Sequence, residues 1–142
     1  MTKSWDAKFQ GAKPPHVVVL DKPFAGLKQG QRLFIASPAL LETRIRAIPA
    51  GTTQDPATLR AELAREHGAD ATCPASTGIF LRIIAERALE RLAAGDPDPA
   101  PFWRVVAPAS PLAAKLSCGA EFLSARRAAD APHAGRHTGR PA

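Results

Sequence analysis

The sequence is poor in cysteine and has no cluster of cysteine and histidine with metal-ligand spacing. Its 142 residues include two cysteines, Cys73 and Cys118, which are too few for a disulfide framework. We therefore expect two reduced thiols, no metal and no other cofactor. An internal repeat is also missing, which argues against a repeat architecture.

Long apolar runs are absent as well. The first residues contain no apolar h-region after their basic residue, and no later segment approaches the length of a membrane span. The length suits a single hydrophobic core. We expect a cytoplasmic monomer of one domain with no membrane contact.

Basic residues are abundant but unevenly placed. The net charge is +6 and the sequence pI is about 10.0. Residues 1–48 carry eight Lys/Arg against three Asp/Glu, residues 49–100 five against eight, and residues 101–142 six against two. An anionic partner such as nucleic acid is consistent with this balance, and its phosphates would meet mainly the two flanks.

Two helices with similar starts are predicted in the first half of the chain. Ser37-Pro38 opens the first, which ends before Pro49-Ala50-Gly51. Asp55-Pro56 opens the second, and Gly68 is a natural end for it.

The stretch 68–80 joins the second helix to a longer third one. The third helix begins near Cys73-Pro74 or Ser76 and runs to about Ala94. Small and hydroxyl-bearing residues line its start, which is typical of a helix-turn-helix. Helical spacing predicts its buried face from six residues: Ile79, Phe80, Ile83, Ile84, Ala88 and Leu92.

The chain ends are interpreted as less regular. Residues 1–36 form a basic N-terminal arm that contains a short helix near 4–10 and extended segments at 17–20 and 32–35. Residues 131–142, in which every charged side chain is basic, are predicted to be a disordered tail.

A small β ribbon is predicted after the third helix. The proline-rich segment 95–101 is a rigid loop, 102–106 favours a strand, 107–114 forms a turn with its return, and 119–129 is a last helix. The predicted fold class is mostly α with a small β ribbon, a winged helix-turn-helix in a single domain of residues 37–130.

Several motifs within this order carry a family resemblance. They are Ile48-Pro49-Ala50-Gly51, Leu59, Gly78, Pro101-Phe102-Trp103-Arg104-Val105 and the segment from Gly119 onward. Over residues 38–130 the chain resembles the C-terminal domain of methylated-DNA-protein-cysteine methyltransferases and of alkyltransferase-like proteins. In that family an IPxG turn precedes the helix-turn-helix, ARAVG opens the recognition helix, and PCHRV carries the acceptor cysteine. Lys3-Ser4-Trp5, residues 68–80 and residues 101–105 also resemble a bacterial branch of small proteins in this superfamily.

The departures from the family pattern determine the predicted function. Phe102 stands at the acceptor cysteine and Trp103 at its histidine base, so methyl transfer to a thiolate is excluded there. Alkyltransferase-like proteins also lack this cysteine, and they recognise lesions and recruit repair factors. Ala75 stands at the family's arginine finger, and its nucleotide-turning tyrosine falls near Pro56, so neither base-flipping device is present.

The predicted DNA contacts follow from the motif and the resemblance. Seven residues are assigned to them: Thr72, Ala75, Ser76, Thr77, Gly78, Arg104 and Lys115. Arg126-Arg127 are further phosphate candidates, and Phe102 and Trp103 would form the floor of a vestigial base pocket.

Each assignment has a structural alternative. Ser76 and Thr77 could cap the helix, Gly78 could admit either DNA or the preceding helix, and Phe102 and Trp103 could be core anchors. The basic residues could be a solvated face.

Cys73 is the one residue with an argument for catalysis. A thiol at a helix N-terminus has a lowered pKa when the helix dipole acts on it, but only His67 lies near enough in sequence to act as a base. A small residue packed into the turn is the favoured interpretation, and no catalytic residue is predicted.

The predicted function is therefore non-catalytic binding of double-stranded DNA, of the alkyltransferase-like type, with recognition of alkylated or damaged DNA for repair and a protein repair partner. The alternative is a winged-helix protein-interaction module without repair activity, which the acidic middle third favours.

Overall fold

Helices make up most of the structure, and a three-stranded sheet packs against them. The computed structural model describes residues 4–138, with side chains through Asp130. Its helices are α1 (Trp5–Gln10), α2 (Pro38–Arg46), α3 (Pro56–Glu66), α4 (Pro74–Ala93), α5 (Pro111–Lys115) and α6 (Gly119–Thr138). The strands are β1 (His16–Val19), β2 (Arg32–Ile35) and β3 (Ala71–Thr72), and Phe102–Arg104 form a 3₁₀ turn.

The helix starts follow the predicted capping chemistry. The Ser37 hydroxyl accepts a hydrogen bond from the Leu40 amide, the Asp55 carboxylate accepts one from the Ala57 amide, and a proline opens each helix. The predicted short N-terminal helix is present as α1, whose N-cap is Ser4. These signals are local, which is why the sequence alone places the starts of α1, α2 and α3.

The sheet is built mainly from the segment interpreted as an arm. β1 and β2 pair antiparallel, with Val18 opposite Leu33, and β2 pairs in parallel with β3, with Phe34 opposite Thr72. Phe34 is 1% exposed and belongs to the main core cluster. Residues 32–36 are therefore part of the packed domain.

The predicted β ribbon at residues 102–114 is wrong. Residues 102–104 form a 3₁₀ turn in which the Val105 and Val106 amides both bond to the Phe102 carbonyl, and α5 follows. Val105 and Val106 are each 1% exposed, whereas alternate residues of a surface ribbon face solvent. No wing follows α4 in the described part of the chain, so the structure is an α-rich mixed α/β domain, and a winged helix is not established.

The main hydrophobic core contains residues from each of the larger elements. It contains Leu41 and Ile45 from α2, Leu59 and Leu63 from α3, Leu81 and Ile84 from α4, the segment 102–106, and Leu123 from α6. α1 packs on α4, where Arg87 bonds to Asp6 at 2.8 Å and lies over the Phe9 ring. The N-terminal helix is thus fixed to the longest helix.

The C-terminal helix extends beyond its predicted end at Ala129. The backbone of α6 runs to Thr138. The predicted tail, residues 131–142, has no described side chains, and its last four residues lie outside the description altogether.

Between residues 4 and 138, no helix combines the length and the apolar character needed to cross a membrane.

Candidate nucleic-acid interface

The connection between α3 and α4 is tied to the sheet. Gly68 takes φ of +67°, which ends α3, and the Asp70 and Cys73 amides bond to the Arg32 and Phe34 carbonyls of β2. The connection is therefore longer than a tight helix-turn-helix turn, because β3 is inserted in it.

Three predicted contacts point inward. Thr72 is 3% exposed and donates to the Arg60 carbonyl at 2.8 Å, and Thr77 is 1% exposed and donates to the Cys73 carbonyl at 2.7 Å. Ser76 is half-buried, and its hydroxyl lies 3.5 Å from the same Cys73 carbonyl. Neither Ser76 nor Thr77 is the N-cap, which is Cys73 without a side-chain bond. The capping alternative is wrong, and these hydroxyls satisfy local backbone groups instead.

The outer face of the first turns of α4 carries small and apolar residues that make no side-chain hydrogen bonds. Ala75 is exposed, Gly78 is half-buried, and Ile79 is 60% exposed. The prediction that Ile79 belongs to the buried face is wrong. Ala75 and Ile79 are four residues apart and so share one face of the helix. The four-residue spacing from Ala75 to Ile79 could have indicated that Ile79 lies on the exposed face. The many apolar residues of α4 made this face difficult to distinguish from the buried one.

Gly78 has no packing requirement. A Cβ built on it meets no heavy atom within 4 Å outside its own helix backbone and chain neighbours. Of the two predicted reasons for this glycine, close approach of the preceding helix is therefore wrong. A glycine inside a helix costs about 0.5–1 kcal/mol relative to alanine.

Gly78 lies at an apolar groove of about 320 Å³. The groove joins α3, α4 and the segment after the 3₁₀ turn, and its lining includes Pro56, Arg60, Thr77, Leu81, Val106 and Leu112. Pro56 and Gly78 thus line one groove, at the starts of α3 and α4.

Basic side chains line two grooves along α4, one beside its start and one beside its second half. Arg60 and Arg65 line a groove beside Pro74. Arg82 and Lys115 line another beside Trp5, and the Arg82 guanidinium lies over the Trp5 ring at 5.4 Å. Lys115, a predicted contact, is exposed.

The acidic residues of the middle third are largely engaged within the protein. Glu62 and Glu66 pair with Arg44, and this contact holds the pKa of the Glu66 carboxyl below its ordinary value. Glu86 is 5% exposed and accepts hydrogen bonds from the Ser117 amide and hydroxyl at 2.9 and 2.6 Å. These carboxylates do not form a separate acidic face.

Phe102 and Trp103 are core anchors. They are 1% and 5% exposed, and Phe102 packs edge-on against Trp103 and parallel to Phe122. The indole Nε1 of Trp103 donates to Oδ2 of Asp130 at 2.9 Å. The predicted vestigial base pocket has both rings as its floor, but Phe102 is buried in the core and Trp103 alone of the two borders a cleft.

Arg104 is likewise occupied within the protein. Its Nε donates to Asp130 Oδ2 at 2.9 Å and its Nη1 to the Ile48 carbonyl at 2.8 Å. Burial raises the pKa of the Asp130 carboxyl, but the hydrogen bonds from Arg104 and Trp103 outweigh this, so its pKa lies below the ordinary value. The guanidinium predicted to hold a DNA phosphate thus has an internal counter-ion, which sequence reasoning missed because it lies 26 residues away.

The thiols do not form a catalytic site. Cys73 is 5% exposed and packs with Leu20 and Leu33, while the nearby His67 ring stacks on Phe34 at 4.1 Å. Burial raises the pKa of the Cys118 thiol. Among the described residues, no three His, Cys, Asp or Glu side chains are grouped to hold a metal ion.

Comparison with known proteins does not assign the chain to a family. No protein-family model matches the chain, and no curated protein or solved structure does either.

Proposed function

We propose that this chain is a non-catalytic protein that binds double-stranded DNA through the start of α4, in the manner of alkyltransferase-like proteins. The supporting observation is Gly78, a helical glycine that borders a groove and has no packing requirement. A glycine at this helical position leaves the surface open to the close approach of a ligand's backbone.

The proposed contact surface is the exposed side of the first turns of α4. Ala75, Gly78 and Ile79 form its centre, and they present a smooth apolar surface suited to sugar edges or to a thymine methyl group. Arg60, Arg65, Arg82 and Lys115 supply the phosphate contacts around it. Arg104 is left out because Asp130 neutralises it.

Alkyl transfer is not part of the proposal. The residue aligned with the acceptor cysteine is Phe102, whose ring offers no nucleophile and is 1% exposed. What remains of the resemblance is recognition of DNA, with an alkylated or damaged base as its target and a repair protein as its partner.

A matched pair of variants tests the proposal. Ile79 and Val19 are 60% and 59% exposed, on α4 and on β1, so replacing either with glutamate leaves the core intact. Duplex binding is measured by fluorescence anisotropy over a salt series, with and without O6-methylguanine. We expect Ile79→Glu to weaken binding about tenfold or more and Val19→Glu to have little effect. Absence of salt-dependent binding by the wild-type protein to either duplex would overturn the proposal.

A protein-interaction module is the second candidate, and β1 favours it. This strand is at the edge of the sheet, and Val18, Val19 and the nearby Phe24 are exposed. Edge strands with exposed apolar residues are common docking sites for other chains. In the experiment above, intact DNA binding in Val19→Glu together with loss of a co-purifying partner would assign protein contacts to β1 and DNA contacts to α4.

A further inference from the structure

A second cleft, of about 340 Å³, lies on another side of the 3₁₀ turn. It shares no lining residue with the groove beside Gly78: Trp103 and Arg104 border this cleft, whereas Val105 and Val106 border that groove. We call it the arginine cleft, because Arg46, Arg104 and Arg126 all line it.

The cleft has an excess of positive charge. Its lining holds three guanidinium groups and one carboxylate, that of Asp98, which is 89% exposed. Arg126 makes no ion pair within 4.0 Å among the residues with described side chains. Arg46 pairs with Asp98 and Arg104 with Asp130, which is outside the lining, so among the described side chains Arg126 is the guanidinium that remains without a counter-ion.

The guanidinium of Arg126 is held in place by aromatic rings. It lies 4.7 Å from the centre of the Trp103 ring and 5.5 Å from that of Phe122. Stacking fixes a planar guanidinium and leaves its N–H edge available, so little side-chain entropy is lost when an anion binds.

Arg104 and Arg46 complete the donor set in different ways. Two nitrogens of Arg104 are engaged by Asp130 and by the Ile48 carbonyl, which fixes the side chain, and the described contacts leave Nη2 without a partner. Arg46 has only long contacts, 3.5 Å to Glu42 and 3.3–3.4 Å to Asp98, so an incoming anion can replace them.

The walls restrict which anion fits. Pro97, Pro99 and Pro101 form a rigid apolar side, and the volume suits a group of mononucleotide size. A phosphate inside a duplex lies on a convex surface and does not enter such a cleft. A phosphate monoester carries close to two negative charges at pH 7 and three acceptor oxygens, so it can pair with Arg126 and also accept hydrogen bonds from Arg104 and Arg46.

We propose that the arginine cleft binds a phosphate monoester attached to a sugar, either a free mononucleotide or the 5′-phosphate at the end of a nucleic-acid strand. Arg126 is the central ligand-binding residue, Arg104 and Arg46 are additional donors, and the prolines contact the sugar. This site does not depend on duplex binding at α4.

Titration calorimetry on the full chain tests the site. The probes are deoxyadenosine 5′-monophosphate and deoxyadenosine. We expect the monophosphate to bind and the nucleoside to give no heat. No heat from the monophosphate at concentrations up to about 5 mM, or equal binding of the nucleoside, would overturn the proposal.

Charge-matched variants locate the binding. Arg126→Met and Arg46→Met should each weaken monophosphate binding, the former about tenfold or more, while Arg65→Met, which removes an exposed arginine elsewhere, should not. Arg46 is 39% exposed, so its variant remains informative even if Arg126→Met fails to fold. Equal losses for Arg46→Met and Arg65→Met would indicate general charge attraction and contradict a defined site.

A pair of single-stranded oligonucleotides distinguishes the two sources of the phosphate. Tighter binding of a 5′-phosphorylated strand than of its 5′-hydroxyl form, lost in Arg46→Met, supports the strand end. Equal binding of the two strands with intact monophosphate binding supports the free nucleotide. Arg126→Met should leave duplex binding at α4 unchanged, so failure of this site and failure of the proposed function are separate results.

Discussion

The indole N–H of Trp103 and the carboxylate of Asp130 are joined by a hydrogen bond of 2.9 Å that links the 3₁₀ turn to the C-terminal helix. Arg104 donates to the same oxygen, and Arg127 donates to the Trp103 carbonyl at 2.7 Å. A ring N–H bonded to a carboxylate is the arrangement that orients the base in catalytic triads, here without a base or a nucleophile.

Replacing Asp130 with asparagine should lower the free energy of unfolding by about 2–4 kcal/mol at pH 7, because Arg104 loses its counter-ion in a half-buried position. Urea denaturation measures the change, and Asp98→Asn, at an 89% exposed carboxylate, is the control. Equal stability of the two variants would contradict the role of Asp130.

The same carboxylate gives a pH dependence. Its pKa is below the ordinary value in the folded protein, so its contribution is complete above the unfolded-state pKa of about 3.9 and is lost as the pH falls through the folded-state pKa. Between pH 5 and pH 2 the wild-type protein should lose more stability than Asp130→Asn. Parallel acid-denaturation curves for the two proteins would argue against this linkage.

Gly78→Ala separates stability from binding. Because nothing lies within 4 Å of the added methyl group, the variant should be more stable by about 0.5–1 kcal/mol. If DNA approaches this position closely, affinity should fall at the same time, and Gly78→Leu should lower it further. Unchanged DNA affinity in both variants would remove Gly78 from the interface.

Lys115 and Arg104 should respond differently to neutralisation. Lys115→Gln should reduce the slope of log affinity against log salt by about 1 without loss of stability, because the side chain is exposed. Arg104→Gln should destabilise the protein and leave that slope unchanged, since its charge is already paired with Asp130. Anisotropy over a salt series and urea denaturation measure the two effects, and a reduced slope in Arg104→Gln would restore its predicted phosphate contact.

The cysteines should be slow to react. Cys73 is buried, so iodoacetamide should label it only after unfolding, and Cys118 should react more slowly than a free thiol because burial raises its pKa. Peptide mass spectrometry in buffer and in urea separates the two sites. Fast labelling of Cys73 in the native protein would return it as a candidate nucleophile.

Local chemistry made part of this structure predictable. The starts of α2 and α3 depend on a capping side chain and a proline within three residues, and the sequence shows both. The error at residues 102–106 has the opposite origin: Val105 and Val106 favour a strand by propensity, but burial of both in a core shared with α4 and α6 overrides it.

The candidate site was harder to predict, because its contacts depend on tertiary packing. Whether Thr72 and Thr77 face DNA depends on carbonyls that the fold places beside them. The partner of Arg104 comes from a helix 26 residues further along, and the exposure of Ile79 depends on which elements cover α4. The Thr77 bond spans four residues and is local, whereas the partners of Thr72 and Arg104 lie 12 and 26 residues away and have no short-range signal.

The bonds that attach the α3–α4 connection to β2 make the proposed interface inseparable from the N-terminal third of the protein. The Asp70 and Cys73 amides have their acceptors on Arg32 and Phe34, so an excised peptide of residues 55–93 would lack both. Because Phe34 lies in the main core, these two amides should be among the slowest to exchange with deuterium, and the orientation of α4 is set cooperatively with the whole fold.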